Sequence, residues 1–455
     1  MRALASRLII ACVLAAANGV LWAVSGAAPV AAQGSTHVKT MPSRPPPPPV
    51  ETPEPRSKAK EPAAPVRMGP VVADAVSVTG NQSLTRLALE LTGPVEYQVF
   101  RLRTPDRVVL DVSHVEFTIP ATAGRESKAL VSGFRFGAFA PGKARVVIET
   151  AGPVQVEATR LIREGSRGRH RLELDLVPAP SVDLSEGEVA AARESAARLQ
   201  IADATPAPAP PALKSSPVAP RMPVIVVDPG HGGVDTGAQG AVGVEKDIVL
   251  AVGRELEKAL SATGKYRVVM TRSTDAFVPL AQRIRLSREQ EAQLFISLHA
   301  DSLESRELAH AIRGATIYTL SQSASDERAR RLADKENAAD LLAGVHLPTE
   351  DVQDDVKSIL FDLMARETAG LALNFRQLAA KRMRGSIHLS RDPQRAANFL
   401  VLRQAETPAV LIELGYISHV EEEKQMLSQE WQKKMAAAIT AAINDFFATG
   451  SSIFR

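Results

Sequence analysis

Large apolar residues alternate with polar ones along the chain between residues 71 and 177. In RLALELTGPVEYQVFRL, the side chains of Leu87, Leu89 and Leu91 share one face of an extended segment, because successive side chains of a strand point to opposite sides. The segments RVVLDV and RVVIET alternate in the same way, and glycine-proline pairs separate the strands. The pattern predicts a small all-β domain over residues 71–177.

This region also contains an internal repeat. LALELTGPVEYQV followed by RVVLDV resembles RVVIETAGPVQVEA followed by RLELDL. Each half is predicted to form a strand, a glycine-proline turn, a second strand and a closing strand, so two three-stranded units should pack as a β-sandwich. The sequence of this domain shows no cluster of histidine and acidic residues, which favours a binding module over an enzyme.

From about residue 223 onward, some segments place their apolar residues at helical spacing. The segments VIVVD, YRVVMT, LFISLHA, GATIYTL and PAVLIELGY predict strands, whereas EKDIVLAVGRELEKAL, PLAQRIRLSREQ and EWQKKMAAAITAAINDFF predict helices. Strands that alternate with helices indicate a mainly parallel, twisted sheet flanked by helices. Residues 223–449 are therefore predicted to form an α/β domain.

A long helical insertion, at about residues 321–385, interrupts this alternation. One helix is predicted from near Ser325 to Gly344 and a second from about Val352 to Lys381. Because the insertion follows two neighbouring strands of the predicted sheet, it could cover their carboxyl edge.

Proline-rich segments flank the β domain. Residues 33–70 contain MPSRPPPPPVETPEPRSKAKEPAAPVRMGP, and residues 178–222 contain ATPAPAPPALKSSPVAP. Such compositions have too little to bury for a packed core, and we expect disordered, extended linkers.

The first 32 residues resemble a secretory signal peptide. Arg2 and Arg7 precede an apolar run, and small residues lead to a plausible cleavage site after Ala32. An uncleaved membrane anchor is the alternative, since the apolar run is nearly long enough to cross a bilayer. The single cysteine, Cys12, lies within this segment. The mature chain would therefore have no disulfide, no cysteine nucleophile and no cysteine-rich zinc site.

The charge balance excludes another class of function. The chain has 54 Lys and Arg against 51 Asp and Glu, without the basic excess of a nucleic-acid-binding protein. Aromatic residues make up only 4% of the chain, which argues against a stacking platform for single strands or sugars. We expect no nucleic-acid partner, and a monomer is the default expectation.

Four ionisable residues lie where sites collect in parallel sheets, beyond the carboxyl ends of the strands. His231 follows VIVVDPG, His299 follows LFISL, Glu413 closes PAVLIE and Glu245 opens the first helix. Two imidazoles and one carboxylate suit zinc with a fourth position open to water, and a further carboxylate could then move a proton. Taken singly, each residue has another possible role. Each histidine could be merely hydrogen-bonded, and Glu413 could pair with an arginine. Glu245 could be a carboxylate at a helix N-terminus, where the helix dipole stabilises it.

Residues near these four have supporting roles in this interpretation. Glycines 230, 232 and 233 would let the backbone turn sharply around His231. Asp228 and Asp301 are candidates to orient a ligand imidazole. Capping a strand end or a loop is the equal alternative for both aspartates.

Three blocks of the second domain carry a family resemblance. VVDPGHGGVDTGAQG with VEKDIVL, then FISLHADS, then PAVLIELGYISHVEEEKQML resemble the signature blocks of zinc-dependent N-acetylmuramoyl-L-alanine amidases, in order and in spacing. The resemblance implies that His231, Glu245 and His299 bind one Zn²⁺ ion and that Glu413 is the catalytic general base. The substrate implied is peptidoglycan, cut at the amide between N-acetylmuramic acid and L-alanine.

The arrangement of the whole chain extends this resemblance. The β domain resembles the AMIN module that precedes such amidases in Gram-negative bacteria and holds them at the septal cell wall. The order of signal, β domain, linker and amidase is similar to that of periplasmic enzymes that separate daughter cells. The resemblance implies a divisome-associated activator with a degenerate LytM-type peptidase domain.

Relatives of this kind carry an inhibitory helix in the insertion, and a carboxylate from that helix can occupy the open zinc position. Glu336, one turn after Leu332, is the candidate here. The alternative is a solvated helix on which Glu336 pairs with Lys335 or a nearby arginine. Two other functions also stay open, namely a non-catalytic cell-wall-binding protein with a degenerate fold and a zinc peptidase that cuts within the stem peptide.

Overall fold

The computed structural model describes residues 70–103, 105–165, 168–180, 222–303, 312–345 and 359–449, although the side chains of 359–364 are not described. The predicted signal peptide and nearly all of the two predicted linkers lie outside these ranges. Of the helices within them, none combines the length and the apolar character that a membrane crossing requires.

The first domain contains nine strands in its described residues. They are β1 (Val71–Gly80), β2 (Thr85–Leu91), β3 (Tyr97–Leu102), β4 (Arg107–Ser113), β5 (Val115–Phe117), β6 (Val131–Ala140), β7 (Lys143–Thr150), β8 (Val154–Glu164) and β9 (Arg169–Pro178). One sheet has the order β5-β1-β2-β9-β8 and the other β3-β4-β7-β6. Leucine, valine and phenylalanine side chains of both sheets form one buried cluster between them, which confirms the predicted β-sandwich.

The internal repeat is larger than the predicted three-stranded unit, which was wrong in its strand number. Each half has four strands, β1–β4 and β6–β9; its first two strands pair in one sheet and its last two in the other. The first strand of each half escaped prediction. Glycines and alanines in VVADAVSVTG and VSGFRFGAFA dilute the alternation of large apolar residues that marks a strand.

The second domain is built on a six-stranded sheet. Its strands are β10 (Val224–Pro229), β11 (Arg267–Met270), β12 (Leu294–His299), β13 (Ala315–Leu320), β14 (Leu389–Ala397) and β15 (Ala409–Glu413), in the order β11-β10-β12-β15-β13-β14. Strands β13 and β15 are antiparallel, whereas the other neighbours are parallel. The predicted mainly parallel α/β fold is confirmed. Strand β14 was not predicted, because its sequence LSRDPQRAA is polar and contains a proline, as an edge strand tolerates.

Seven helices accompany this sheet in the described residues. They are α1 (Glu245–Ser261), α2 (Leu280–Glu289), α3 (Glu327–Asn337), α4 (Ala339–Leu342), α5 (Ile359–Met383), α6 (Val420–Leu427) and α7 (Gln429–Thr449). Helices α1, α5 and α7 share one buried cluster with the sheet. Helix α3 packs in a separate cluster with Phe295, Tyr318 and Phe399.

The predicted helix from Ser325 to Gly344 is divided in the structure. Asp326 caps the start of α3 by accepting a hydrogen bond from the backbone N–H of Ala329 at 2.8 Å. The helix breaks at Ala338, and Gly344, with φ of +75°, ends the α4 turn. Residues 346–358, where the second predicted helix was to begin, lie outside the described ranges.

Candidate metal centre

The sheet brings the predicted site residues to one edge. His299 and Glu413 end the parallel neighbours β12 and β15 and are partners in their register. Glu245 is the first residue of α1. His231 lies in the loop after β10, so the structure brings all four predicted residues together, and all four are buried.

Glycines allow the loop around His231 to pass through a crowded space. His231 itself has φ of +57°, which is uncommon for a residue with a side chain. A Cβ atom on Gly230 would lie 2.5 Å from the His299 ring. A Cβ atom on Gly237 would lie 2.6 Å from the His231 ring and 2.7 Å from Oε2 of Glu245. Gly237 was not singled out from the sequence, because its role depends on the folded loop.

Four donor atoms converge, and the four distances from a histidine nitrogen to a carboxylate oxygen are equal. Nε2 of His231 and Nδ1 of His299 each lie 3.2 Å from Oε1 of Glu245. Both nitrogens also lie 3.2 Å from Oε2 of Glu336. A tetrahedral zinc site with bonds of about 2.0 Å has ligand-to-ligand distances of about 3.3 Å. The spacing of the donors therefore matches that of a zinc site.

A buried nitrogen supports the same interpretation. Nε2 of His231 makes no hydrogen bond with any residue that the structure describes, although two carboxylate oxygens lie 3.2 Å away. Buried polar atoms of this kind normally have a partner. Ligand atoms of His231, Glu245 and His299 all lie within 4.8 Å of one another, so these residues fit the ligand set of a zinc ion.

Further hydrogen bonds hold the ligand side chains in place. Oδ2 of Asp235 lies 2.8 Å from Nδ1 of His231 and fixes the orientation of that ring. Oε1 of Glu245 accepts a hydrogen bond from the Ala300 N–H at 2.8 Å, and Oε2 accepts one from the Ala238 N–H at 2.7 Å. Asp235 was not predicted from the sequence, where its signal is an acidic residue four positions after a candidate ligand.

Of the two roles considered for Asp228 and Asp301, contact with a ligand imidazole is not the one observed. Asp228 instead accepts hydrogen bonds from Thr271, Ser297 and Arg283. It acts on the loop only indirectly, because Arg283 also donates to the His231 carbonyl at 2.8 Å.

Asp301 accepts a hydrogen bond from Nζ of Lys335 at 2.9 Å. Neither aspartate contacts an imidazole, and each has a cationic partner that offsets the cost of burying a carboxylate.

Glu413 has the surroundings of a proton carrier. Its Oε2 atom accepts a hydrogen bond from the Asp301 N–H at 2.9 Å. Its Oε1 atom is buried and has no hydrogen-bond partner among the described residues. Burial, together with repulsion from Asp301, raises the pKa of Glu413 well above its usual range. A carboxyl group with a raised pKa and one oxygen available is suited to exchange a proton near neutral pH.

The buried carboxylates also raise the pKa values of the two imidazoles. Burial opposes a charge on His299, but attraction to Glu336 and the hydrogen bond with Glu245 outweigh it and raise the pKa of His299 to about 10. The pKa of His231 is raised well above its usual value for similar reasons, with Asp235 contributing most. A metal ion would displace these protons, because imidazole binds a metal only in its neutral form.

Helix α3 covers the site. Ala329, Leu332 and Ala333 pack into the domain, and Glu336 continues the same helix face one turn later, with 5% of its surface exposed. The cavity between His231, His299 and Glu336 has a volume of about 20 Å³, room for a single water molecule. The helix is therefore not the solvated one that the alternative interpretation described, although Lys335 does lie 3.7 Å from Glu336.

Comparison with known proteins gives the family. Residues 225–445 match the family described as N-acetylmuramoyl-L-alanine amidase (Amidase_3), and residues 74–176 match the AMIN domain. The chain is 31% identical over 391 residues to the N-acetylmuramoyl-L-alanine amidase AmiC of Escherichia coli O6:H1, covering 84% of this chain and 91% of that protein.

Two other relatives are similar. The amidase AmiC of Neisseria meningitidis serogroup B is 30% identical over 388 residues, with 82% of this chain and 90% of that protein covered. The amidase AmiA of Escherichia coli K12 is 35% identical over 227 residues, with 49% of this chain and 76% of that protein covered. The chain therefore belongs to the N-acetylmuramoyl-L-alanine amidase family and carries an AMIN domain ahead of its amidase domain.

Proposed function

We propose that this chain is a peptidoglycan hydrolase that cuts the amide between N-acetylmuramic acid and L-alanine, with one zinc ion held by His231, Glu245 and His299. The observation that carries the proposal is the convergence of two imidazole nitrogens and a carboxylate oxygen at zinc-like spacing. Family membership supports the reaction class, since the relatives are named for this activity.

In the proposed reaction, the metal ion and the side chain of Glu413 have different roles. Zinc, when bound, supplies a Lewis acid that polarises the scissile carbonyl and makes water acidic enough to attack near neutral pH. Glu413 accepts the proton of the attacking water through its available Oε1 atom and delivers it to the leaving amine of L-alanine. The hydrogen bond from the Asp301 N–H holds that carboxylate in place during both transfers.

In this proposal the enzyme is kept off by its own insertion. Glu336 supplies a fourth ligand atom, at the same 3.2 Å from the two histidine nitrogens as Oε1 of Glu245. Lys335 binds Asp301, whose N–H in turn holds Glu413. A cavity of about 20 Å³ is far too small for a glycan-linked peptide. Movement of α3 away from the sheet edge is then required before the substrate can bind.

The proposed cellular setting is supported by the AMIN domain and by the predicted signal peptide. We propose a periplasmic enzyme that is exported by its signal peptide (1–32), concentrated at the septum by its AMIN domain (71–177), and active in the separation of daughter cells. The flanking linkers are 33–70 and 178–222, and the catalytic domain is 223–449 with its regulatory insertion at about 321–385. A divisome-associated activator with a degenerate LytM-type domain would release the insertion.

The test uses purified sacculi and the full secreted chain. The wild type at a low basal rate, and Glu336→Ala at a higher rate, should release peptides that begin with L-alanine and leave N-acetylmuramic acid unsubstituted, as measured by mass spectrometry. Glu413→Gln should bind zinc equally and lose activity by about 10²- to 10⁴-fold. Fragments cut within the stem peptide would favour a peptidase instead. Absence of any product from the zinc-loaded chain, both as wild type and as Glu336→Ala, would favour a binding protein.

A further inference from the structure

One sheet of the β domain is buried on both faces. Strand residues such as Val108 and Leu110 point into the sandwich, and their neighbour Val109 points outward. A sandwich sheet commonly leaves its outer face in water. Here Val109 and Val147, on that outer face, are 0% exposed. Another part of the chain therefore covers the sheet β3-β4-β7-β6.

The covering segment lies within the helical insertion, directly after α4. Ala343 and Val345, which follow α4, are buried in one cluster with Phe139 and Val147 of the β domain. A Cβ atom placed on Gly344 would lie 3.2 Å from Cγ2 of Val109. The segment that carries Glu336 at one end thus packs on the β domain at its other end.

Two arginines of the β domain bind this segment through its backbone. Arg107 on β4 donates a hydrogen bond to the carbonyl of Leu341. Arg145 on β7 donates to the carbonyls of Ala343 and Gly344 at 3.1 and 2.9 Å. The last carbonyls of a helix lack partners within the helix and carry the negative end of its dipole. The guanidinium groups supply both the missing donors and the matching charge.

Arg145 is held rigidly for this contact. It is 0% exposed, forms two hydrogen bonds with Asp111 at 2.6 and 2.9 Å, and lies 3.3 Å from the centre of the Phe139 ring. An arginine fixed by a carboxylate and an aromatic ring loses little conformational freedom when it binds. This geometry marks the outer face of the sheet as a built docking surface.

The same domain also touches the loop that carries His231. The backbone N–H of Val234 donates to the carbonyl of Ala138 at 3.0 Å. A Cβ atom on Gly137 would lie 2.4 Å from the Gly233 carbonyl oxygen, so the two backbones are in direct contact. The β domain therefore bridges the loop of the metal centre and the segment that covers it.

We infer that the β domain is an intramolecular clamp, whose face of Arg107, Arg145 and Phe139 holds residues 341–345 and so keeps α3 and Glu336 over the metal centre. The inference rests on the proposed inhibitory role of Glu336. It gives the β domain a regulatory function besides any role in targeting. When the β domain undocks from residues 341–345, α3 and Glu336 are free to leave the metal centre. Redocking returns them to it.

The first test measures hydrogen exchange of the full zinc-loaded chain by mass spectrometry. Arg107→Met keeps the aliphatic volume and removes the donor, so amides of residues 327–345 should exchange about tenfold faster than in the wild type. Arg171→Met is the matched control, because Arg171 is bound to Glu90 and Glu164 on the other sheet. Equal exchange of residues 327–345 in Arg107→Met and the control would overturn the inference.

A second variant tightens the contact instead of loosening it, and it decides the matter if Arg107→Met fails to fold. Cysteines at Val109 and Gly344, in a chain with Cys12→Ser, should form a disulfide, because a Cβ atom on Gly344 would lie 3.2 Å from Cγ2 of Val109, within reach of a disulfide bond. The oxidised pair should slow exchange of residues 327–345 and lower basal sacculus hydrolysis, and reductant should reverse both. Failure of the pair to form, or formation without either effect, contradicts the clamp.

Glu336→Ala separates the two proposals. If it leaves basal hydrolysis unchanged, the inhibitory role of Glu336 fails, whatever the exchange data show for the clamp. If it raises hydrolysis while Arg107→Met leaves exchange unchanged, Glu336 inhibits without the β domain and only the clamp fails.

Discussion

Oε2 of Glu336 and Nδ1 of His299 lie 3.2 Å apart, the same distance that separates His299 from Oε1 of Glu245. A residue of the insertion thus stands in the geometric position of a metal ligand. Under the proposed function, this equivalence of the two carboxylates would place catalysis and its control in one small volume. Metal binding by Glu245 and the proposed inhibition by Glu336 can therefore be separated only by substitutions that change one of these two residues at a time.

Removing the Glu336 carboxylate should activate the enzyme. We expect Glu336→Ala to raise basal hydrolysis of sacculi at least about tenfold, since loss of one charged contact at a buried site changes an equilibrium by that order. Dye release from labelled sacculi measures this directly. Glu327→Ala is the control, because Glu327 lies on the same helix, exposed and paired with Arg330. Equal basal rates for both variants would contradict inhibition by Glu336.

Asp235 should set zinc affinity without binding the metal. It accepts the hydrogen bond from Nδ1 of His231 at 2.8 Å, and loss of such an outer partner weakens metal binding by about 10- to 100-fold. We expect this reduction for Asp235→Asn, measured by competition with a chelator of known affinity. Asp247→Asn, at an exposed position in the first turn of α1, should bind zinc as the wild type does. An unchanged dissociation constant for Asp235→Asn would refute the role.

Gly237 offers a test of crowding around the ligands. Gly237 and Gly264 have nearly the same φ, +64° and +65°, but a Cβ atom on Gly264 would meet nothing within 4 Å. Gly264→Ala should therefore cost only the strain of a left-handed alanine, about 1 kcal/mol of the free energy of unfolding.

Gly237→Ala adds a collision with His231 and Glu245 to the same strain. We expect its zinc affinity to fall at least about tenfold below that of Gly264→Ala, because displaced ligands lose their geometry. Calorimetric titration and thermal unfolding of both variants separate the two effects. Similar zinc binding in the two variants would show that the loop can relax and that the contact is unimportant.

The site residues that could be predicted from the sequence are mainly those at strand ends. His299 and Glu413 follow apolar runs, and parallel strands necessarily bring their ends to one edge, so their meeting could be foreseen. Gly237 and Asp235 could not be recognised in the same way, because their importance depends on how one loop folds back on itself.

The contact between the domains was also beyond prediction. Arg145 and Val147 occupy ordinary outward positions of a strand in RVVIET, and nothing local tells which distant segment will cover them. The break of the insertion helix at Ala338 has a similar origin, since its sequence KENAADLL suits a continuous helix and packing decides otherwise.

The most direct measurement is the zinc content of the purified, dialysed chain, by plasma mass spectrometry, for the wild type, His299→Ala and His388→Ala. The account predicts about one zinc per chain in the wild type and in His388→Ala, where the altered histidine lies outside the ligand set, and almost none in His299→Ala. A wild type that is free of metal after expression with zinc, or a full zinc content in His299→Ala, would contradict it.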